Sequence, residues 1–200
     1  MRIQIRILAI LLLSLTSWRC AREQREGKTA YSPEDFITEN YLNYQDSLVH
    51  AWNMMMSDDN DKLLALHQLL VELRKVDPAE NQRPLLRFES RLDQLHRIRY
   101  TQKSMSNADV IEEYDFASTV LVREILSAAE LSTGYADNIT LQQLVDQVRM
   151  AEERVENYRA DYDDLVTHYN AFLEVNKTYL GQIGRDSLTK KPRFELVSIE

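Results

Sequence analysis

An unbroken stripe of apolar residues near the C terminus constrains the fold of this 200-residue chain more than any other feature. Its members follow one another at alternating steps of three and four residues. They are Leu141, Leu144, Val148, Ala151, Val155, Tyr158, Tyr162, Leu165, Tyr169 and Phe172. This spacing is typical of a helix that packs along one face against other helices, as in a coiled coil. The stripe therefore predicts a long helix that begins near Thr140 and ends near Tyr179.

The segment from Arg154 to Asn170 lies on this helix and mixes tyrosines with charged residues, which would suit either a binding site or a packing seam. Its tyrosines, Tyr158, Tyr162 and Tyr169, all belong to the stripe, where a ring fills core volume and its hydroxyl reaches the edge of a bundle. The neighbouring charged residues lie off the stripe, and we expect them on a solvated face. They are Glu153, Arg154, Glu156, Arg159, Asp161, Asp163 and Asp164. We therefore interpret the segment mainly as a packing seam.

Three further helices are predicted before this one. The first begins at Ser32-Pro33, where the serine caps the helix and the proline takes the first helical position, and it ends before Asp77-Pro78. The second runs from Pro84 to about Ser104. A third follows a break or cap at Ser106-Asn107 and ends at Thr133-Gly134. Because short loops make neighbouring helices antiparallel, the sequence predicts an all-α fold, an antiparallel bundle of three to four long helices.

Composition agrees with this fold and excludes several functions. Four glycines and four prolines leave few turn formers for an all-β chain, and 44% hydrophobic with 28% charged residues is the balance of a soluble helical domain. A net charge of -8 argues against nucleic acid as a direct ligand. The single cysteine excludes an intrachain disulfide, and no two histidines stand at helical metal-binding spacing. We predict no catalytic residues, no metal and no cofactor.

The N terminus predicts export or attachment to a membrane. Two arginines precede the apolar run Ile7–Trp18, which has signal-peptide length. Cys20 follows after Arg19 and is the candidate lipid anchor, although Trp18 and Arg19 stand where a lipoprotein signal usually has small residues. Three outcomes stay open: lipidation of Cys20, an uncleaved anchor, or simple secretion. The predicted organisation is a signal peptide or anchor at 1–19, a polar tether at 20–31, a helical bundle at 32–182 and a C-terminal tail at 183–200.

The last helix also carries the pattern E-x-x-V-x-x-x-R-x-x-Y-x-x-x-V-x-x-Y-N, from Glu152 to Asn170, preceded by Asn138, Leu144 and Val148. A K-P-R-F-E run lies at 191–195, and Leu48-Val49 with Ala51-Trp52 lies near the start. Together with the segment 66–70, these elements resemble LemA, a bacterial family of membrane-anchored helical proteins, over about residues 40–195. The resemblance implies an N-terminal anchor and an extracytoplasmic helical body in the cell envelope. It implies no catalytic activity, because none is established for the family.

Six residues form a possible interaction or structural motif. They are Trp52, Glu152, Arg159, Tyr162, Tyr169 and Asn170. Asn170 could present a polar recognition strip with Arg159 or Glu152, or it could hydrogen-bond a loop or a neighbouring helix and fix the register of the bundle, which we favour. Trp52 is expected to be a core anchor. The acidic run Ser57–Asp61 lacks the glycine and the closing glutamate of a calcium loop, and we expect it to be solvated.

Two functions follow from these features. A structural or adaptor protein, held at the membrane and binding an envelope or membrane protein, predicts an exposed apolar patch, with Met54, Met56 and Tyr100 as candidates. The alternative is a small-molecule or peptide sensor with a ligand between the helices. It predicts polar residues converging on a cavity, with Tyr162, Tyr169 and His67 as candidates. The oligomeric state does not follow from the sequence.

Overall fold

A computed structural model describes residues 32–76, 82–182 and 188–194. The predicted leader, Cys20 and the polar tether lie outside the described residues. The chain forms two compact units, Met1–Asn40 and Tyr41–Glu200. Among the described residues, the first unit holds Ser32 and residues 33–40 of the first helix, and the second unit holds the rest.

The described part of the chain contains four α-helices and no strand, which confirms the predicted all-α class. We name them α1 (Pro33–Val76), α2 (Gln82–Ile98), α3 (Ala108–Glu130) and α4 (Ile139–Gln182). A short 3-10 helix, Ser104–Ser106, lies between α2 and α3. None of these helices combines the length and the apolar composition of a membrane span.

Side chains cap three of the helices at the places where the sequence predicts their starts. The backbone N–H of Asp35 donates to Oγ of Ser32 (3.1 Å), and the N–H of Ser32 donates back to Oδ2 of Asp35 (3.0 Å). This reciprocal pair satisfies N–H groups that the first turn leaves without helical partners. At the start of α3, Oδ1 of Asn107 accepts from the backbone N–H of Asp109. At the start of α4, Oδ1 of Asn138 accepts from the backbone N–H of Leu141.

The second helix ends earlier than the sequence predicts, at Ile98 instead of near Ser104. Thr101 and Ser104 form a compact turn, in which the N–H of Thr101 donates to Oγ of Ser104 (2.8 Å) and the N–H of Ser104 donates to the carbonyl of Thr101 (2.9 Å). Hydroxyl side chains compete with helical hydrogen bonds in this way. The turn places Arg99 and Tyr100 outside the helix, beside α1 and α4.

Contacts between the helices show that α1 and α4 run antiparallel. Partners of successive α1 residues occur progressively earlier in α4. The pairs are Tyr41–Tyr169, Trp52–Tyr162, Asp58–Arg154 and Lys62–Glu152. The ion pair Arg91–Glu124 joins α2 to α3, and the ion pairs Glu130–Arg149 and Asp115–Arg159 join α3 to α4. The predicted antiparallel bundle is therefore confirmed, with four helices.

The helices differ in length, and this difference creates two distinct parts within residues 41–194. α1 and α4 have 44 residues each, about 66 Å at the usual helical rise. α2 and α3 have 17 and 23 residues. Contacts of α3 with the long helices extend to Asp59 on α1, through Tyr114, and to Arg159 on α4, through Asp115. Arg99 and Tyr100, which follow α2, contact Met56 and Trp52 of α1. We call the bundle up to this level the four-helix part, and beyond it α1 and α4 pack against each other, as in the contact of Tyr41 with Tyr169.

The predicted stripe of α4 is only partly the buried face. Leu141, Leu144, Val148, Ala151, Tyr162 and Tyr169 are buried. Val155, Tyr158, Leu165 and Phe172 are half-buried, and Val145, Val166, Leu173 and Leu180 are buried instead. A straight α-helix drifts by about 20° per heptad relative to a strict 3.5-residue repeat, so a long stripe does not stay on one face. In addition, α4 meets α3 only along its first half.

Candidate functional site

Charged and hydroxyl side chains meet where the four-helix part ends. We call this group the polar cluster. It consists of Asp59 and Lys62 from α1, Arg99 and Tyr100 after α2, Tyr114, Asp115 and Ser118 from α3, and Glu152 and Arg159 from α4. Every helix or its end contributes, so the cluster forms only in the folded bundle.

Lys62 lies at the centre of the cluster and is only 4% exposed. Its Nζ lies 3.2 Å from Oδ1 of Asp59 and 2.7 Å from Oε1 of Glu152, and it donates to Oγ of Ser118 at 3.3 Å. Burial alone would lower the pKa of Lys62, but the carboxylates of Asp59 and Glu152 outweigh that effect and raise it. The ammonium group is therefore held charged.

The carboxylate of Asp59 also contacts side chains from α3 and from the segment that follows α2. Its Oδ2 accepts a hydrogen bond from the hydroxyl of Tyr114 (2.6 Å) and lies 2.8 Å from Nη2 of Arg99. Burial raises the pKa of the Tyr114 hydroxyl, and the negative charge of Asp59 raises it further. Tyr114 thus remains a hydrogen-bond donor. Asp59 is 6% exposed, which contradicts the predicted solvation of the run Ser57–Asp61 at this position.

Arg159 forms a bidentate ion pair with Asp115. Its Nη1 and Nη2 donate to the two carboxylate oxygens of Asp115 at 2.7 and 2.6 Å, and Nη2 also donates to the hydroxyl of Tyr100 (3.3 Å). The guanidinium lies over the ring of Phe194, 4.8 Å from its centroid. Burial would lower the pKa of Arg159, but the hydrogen bonds to Asp115 and the surrounding charges raise it. Arg159 is an inter-helix link, and the predicted placement on a solvated face is wrong.

A segment of the C-terminal tail packs beside Arg159. The backbone N–H of Phe194 donates to Oδ1 of Asp163 (2.8 Å). Asn170 accepts from the N–H of Lys191 and donates to its carbonyl, both at 2.9 Å. The ring of Phe194 is 5% exposed and contacts the ring of Tyr162 at a centroid distance of 5.8 Å. Phe194 therefore forms part of the core, and Asn170 binds a loop, as the structural interpretation expected.

Asp163 is 4% exposed, so the sequence-based prediction that it lies on a solvated face is wrong. The period of α4 places it beside the buried stripe, and its carboxylate faces the backbone of the C-terminal segment. A buried carboxylate requires such donors because an unpaired one would be strongly destabilising. The partner lies 31 residues away in sequence, beyond the reach of any local pattern.

The other predicted site residues fall into two groups. Trp52 is half-buried and its ring contacts those of Tyr100 and Tyr162, at 6.1 and 5.8 Å between centroids. Tyr169 is fully buried, 6.4 Å from the ring of Tyr41, and burial together with Tyr41 raises its pKa to about 12. Trp52, Glu152, Arg159 and Tyr162 lie in or beside the polar cluster. Tyr169 and Asn170 lie farther along α4.

Two candidate residues are placed differently from the predictions. Tyr100, proposed for an exposed patch, is 4% exposed within the core, whereas Met54 is 44% exposed and Met56 is half-buried. His67, proposed to line a cavity with Tyr162 and Tyr169, is exposed to solvent. The structure does not bring these three side chains together in one cavity.

Asp59 and Lys62 were missed as site residues, although the sequence contains a signal for them. The apolar stripe of α1 runs through Leu48, Trp52 and Met55 and then has a gap before Leu63. Continuing its three- and four-residue steps from Met55 leads to Asp59 and Lys62. Charged residues at core positions of a helix therefore mark the polar cluster.

A cavity of about 570 Å³ opens beside the polar cluster. Its lining carries five carboxylates and two cations: Asp59, Asp115, Glu152, Glu153 and Glu156 with Lys62 and Arg159. Lys62 and Arg159 are already paired with carboxylates in the cluster. The exposed side chains of Glu153 and Glu156 add negative charge at the rim.

A second concave surface, which we call the α1–α4 groove, lies between the two long helices. Its volume is about 570 Å³. It is lined by Asp46, Ser47, His50, Ala51 and Met54 of α1 and by Tyr158, Asp161 and Leu165 of α4. The side chains along its floor are mainly apolar, and the carboxylates of Asp46 and Asp161 are exposed.

Within the three described ranges, no group of three histidine, cysteine or acidic side chains is arranged to hold a metal ion. Comparison of the chain with protein-family models, with curated proteins and with solved structures finds no match.

Proposed function

We propose that this protein is a structural or adaptor component of the bacterial cell envelope: a membrane-anchored, extracytoplasmic helical bundle of the LemA type that binds a partner protein without catalysing a reaction. The anchor would be formed by the N-terminal segment, with Cys20 as the candidate lipidation site. The body would present the α1–α4 groove to the partner.

The α1–α4 groove is the observation that carries this proposal. It combines half-buried Leu165 and Tyr158 with exposed Met54, and all of its lining residues come from the two long helices. Apolar side chains gathered in one surface depression are typical of interaction sites, whereas scattered single apolar residues are not. Met54 was a candidate for such a patch on sequence grounds as well.

The polar cluster supports the absence of catalysis in this proposal because its charges are balanced. Three carboxylates, those of Asp59, Asp115 and Glu152, face the cations of Lys62, Arg99 and Arg159. The pKa values of Lys62 and Arg159 are raised, so these two cations are poorly suited to give up protons near neutral pH. Buried ion pairs of this kind can instead favour one packing arrangement of the helices.

The cavity beside the polar cluster favours a second candidate function, a sensor for a small cationic molecule bound between the helices. Its lining has an excess of three carboxylates over cations, and the rings of Tyr100 and Tyr114 also line it. A polyamine such as spermidine is a suitable probe. An increase in melting temperature with spermidine, lost in a Glu153→Gln, Glu156→Gln double variant, would favour the sensor over the adaptor.

The adaptor proposal is tested by capturing the tagged full-length protein from gently solubilised native membranes and identifying bound proteins by mass spectrometry. Leu165→Glu and Met54→Glu introduce charge into the groove, and Leu64→Glu introduces it at an exposed position of α1 outside the groove lining. We expect one near-stoichiometric partner with the wild type and the Leu64 variant, and its loss with both groove variants. Equal capture by all of them would contradict the proposal.

The same preparation tests the anchor. A Cys20→Ala variant is compared with the wild type for retention in the membrane fraction. We expect its release if Cys20 is lipidated. Retention of the variant would instead favour an uncleaved N-terminal anchor.

A further inference from the structure

We infer that the α1–α4 groove binds an amphipathic α-helix of another protein, with lysine or arginine residues flanking the apolar stripe of that helix. This inference rests on the proposed adaptor function and adds the chemical class of the partner. It follows from the position of the groove on the bundle, its length and its charge.

The groove lies on a side of α4 where all of the lining residues come from α1 and α4 themselves. At 100° per residue, Asp161 and Leu165 fall on one side of the line through Tyr162 and Tyr169. Asp163 and Asn170 fall on the opposite side, where they hold the C-terminal segment. One flank of the α1–α4 pair is therefore closed by the protein's own residues, and the other presents the groove.

The dimensions of the groove suit a helix. Its lining on α1 runs from Asp46 to Met54, about 12 Å at the usual helical rise. The ion pair between Arg154 and Asp58 stands one turn beyond Met54 and Tyr158. Two antiparallel helices present ridges and grooves that a third helix can fill, as in the four-helix part of this same chain. An extended peptide would gain less, since a helix face offers no free backbone hydrogen bonds to it.

The charge of the groove selects a basic partner. Asp46 and Asp161 line it with His50, and its lining contains no lysine or arginine. Neither carboxylate forms an ion pair with another residue in the described part of the chain. Both are thus available to cations carried by a partner, with gains in specificity and association rate. A second copy of this chain fits less well, because the net charge of -8 repels like molecules.

The test uses two helical peptides with the same leucine stripe, one flanked by lysines and one by glutamates. Binding to the full-length protein in a non-ionic detergent is measured by fluorescence anisotropy at low and high salt. We expect the lysine peptide to bind about three- to tenfold more tightly at low salt, from two exposed ion pairs, and the difference to shrink at high salt. Met54→Glu should weaken the binding of both peptides by at least tenfold, and Leu64→Glu should leave it unchanged.

A charge-reversed protein, Asp46→Lys with Asp161→Lys, completes the test. We expect it to bind the glutamate peptide more tightly than the lysine peptide. Equal affinity for both peptides, lost in Met54→Glu, would overturn the inferred charge selectivity and leave the adaptor proposal standing. If neither peptide binds while the groove variants still abolish capture of the native partner, the helical occupant is wrong. If the groove variants affect neither the peptides nor capture, both proposals fail.

Discussion

The carboxylate of Asp163 accepts a hydrogen bond from the backbone N–H of Phe194 at 2.8 Å, and both residues are about 95% buried. This contact joins the middle of α4 to a segment that follows the helix. It places the ring of Phe194 against Tyr100, Tyr162 and Arg159, where the short helices end. The C-terminal segment therefore closes the core of the four-helix part.

Asp163→Ala should lower the free energy of unfolding by about 1–3 kcal/mol, because it leaves a buried backbone N–H without its partner. Asp163→Asn keeps an oxygen acceptor and should lose less. Chemical denaturation of the full-length protein, monitored by circular dichroism, measures both changes. Equal loss in the two variants would mean that the negative charge, and not the hydrogen bond, stabilises this contact.

Lys62→Met should be among the most destabilising single changes, at about 3–5 kcal/mol, because Asp59 and Glu152 would lose the cation between them. Lys75→Met is the matched control. Lys75 pairs with Glu72 on the surface, and such exposed pairs contribute at most about 1 kcal/mol. Similar denaturation midpoints for the two variants would contradict the structural role of the polar cluster.

Stability should fall as the pH rises above about 10, because the pKa of Tyr169 is raised to about 12. In that window the unfolded state loses the phenol proton and the folded state keeps it, which favours unfolding. The raised pKa of Lys62 acts with the same sign. Free energies of unfolding measured between pH 9 and about 12 should decline less steeply for Tyr169→Phe than for the wild type. An identical decline would contradict this assignment.

The sequence predicted the helices well because their signals are local. The Ser32 cap, the stop before Asp77-Pro78 and the Asn107 cap all act within one turn of the chain. The end of α2 was misplaced because the turn between Thr101 and Ser104 competes with the helix. Apolar periodicity points to Asp59 and Lys62 on α1, but on α4 it does not encode which charges are buried. Asp163 and Arg159 find their partners on other elements, so their roles emerged only from the tertiary structure.

Asn170→Ala should release the C-terminal segment without unfolding the bundle, since Asn170 makes both hydrogen bonds to the backbone of Lys191. Loss of these two bonds favours local opening, and we expect trypsin cleavage after Arg193 to be about tenfold faster. Limited proteolysis followed by mass spectrometry of the C-terminal fragments measures this rate. Asn176→Ala is the control, because Asn176 bonds only within α4 among the described contacts. Equal rates in both variants would contradict the role of Asn170 as the attachment point.

The most direct test of the adaptor account is site-specific photo-crosslinking in native membranes. A photoreactive amino acid replaces Leu165 in the α1–α4 groove in one variant and exposed Leu64 of α1 in another. The account predicts a single prominent adduct from position 165, with a partner whose crosslinked peptide is a basic amphipathic helix, and no such adduct from position 64. Equal labelling from both positions, or none from position 165, would contradict it.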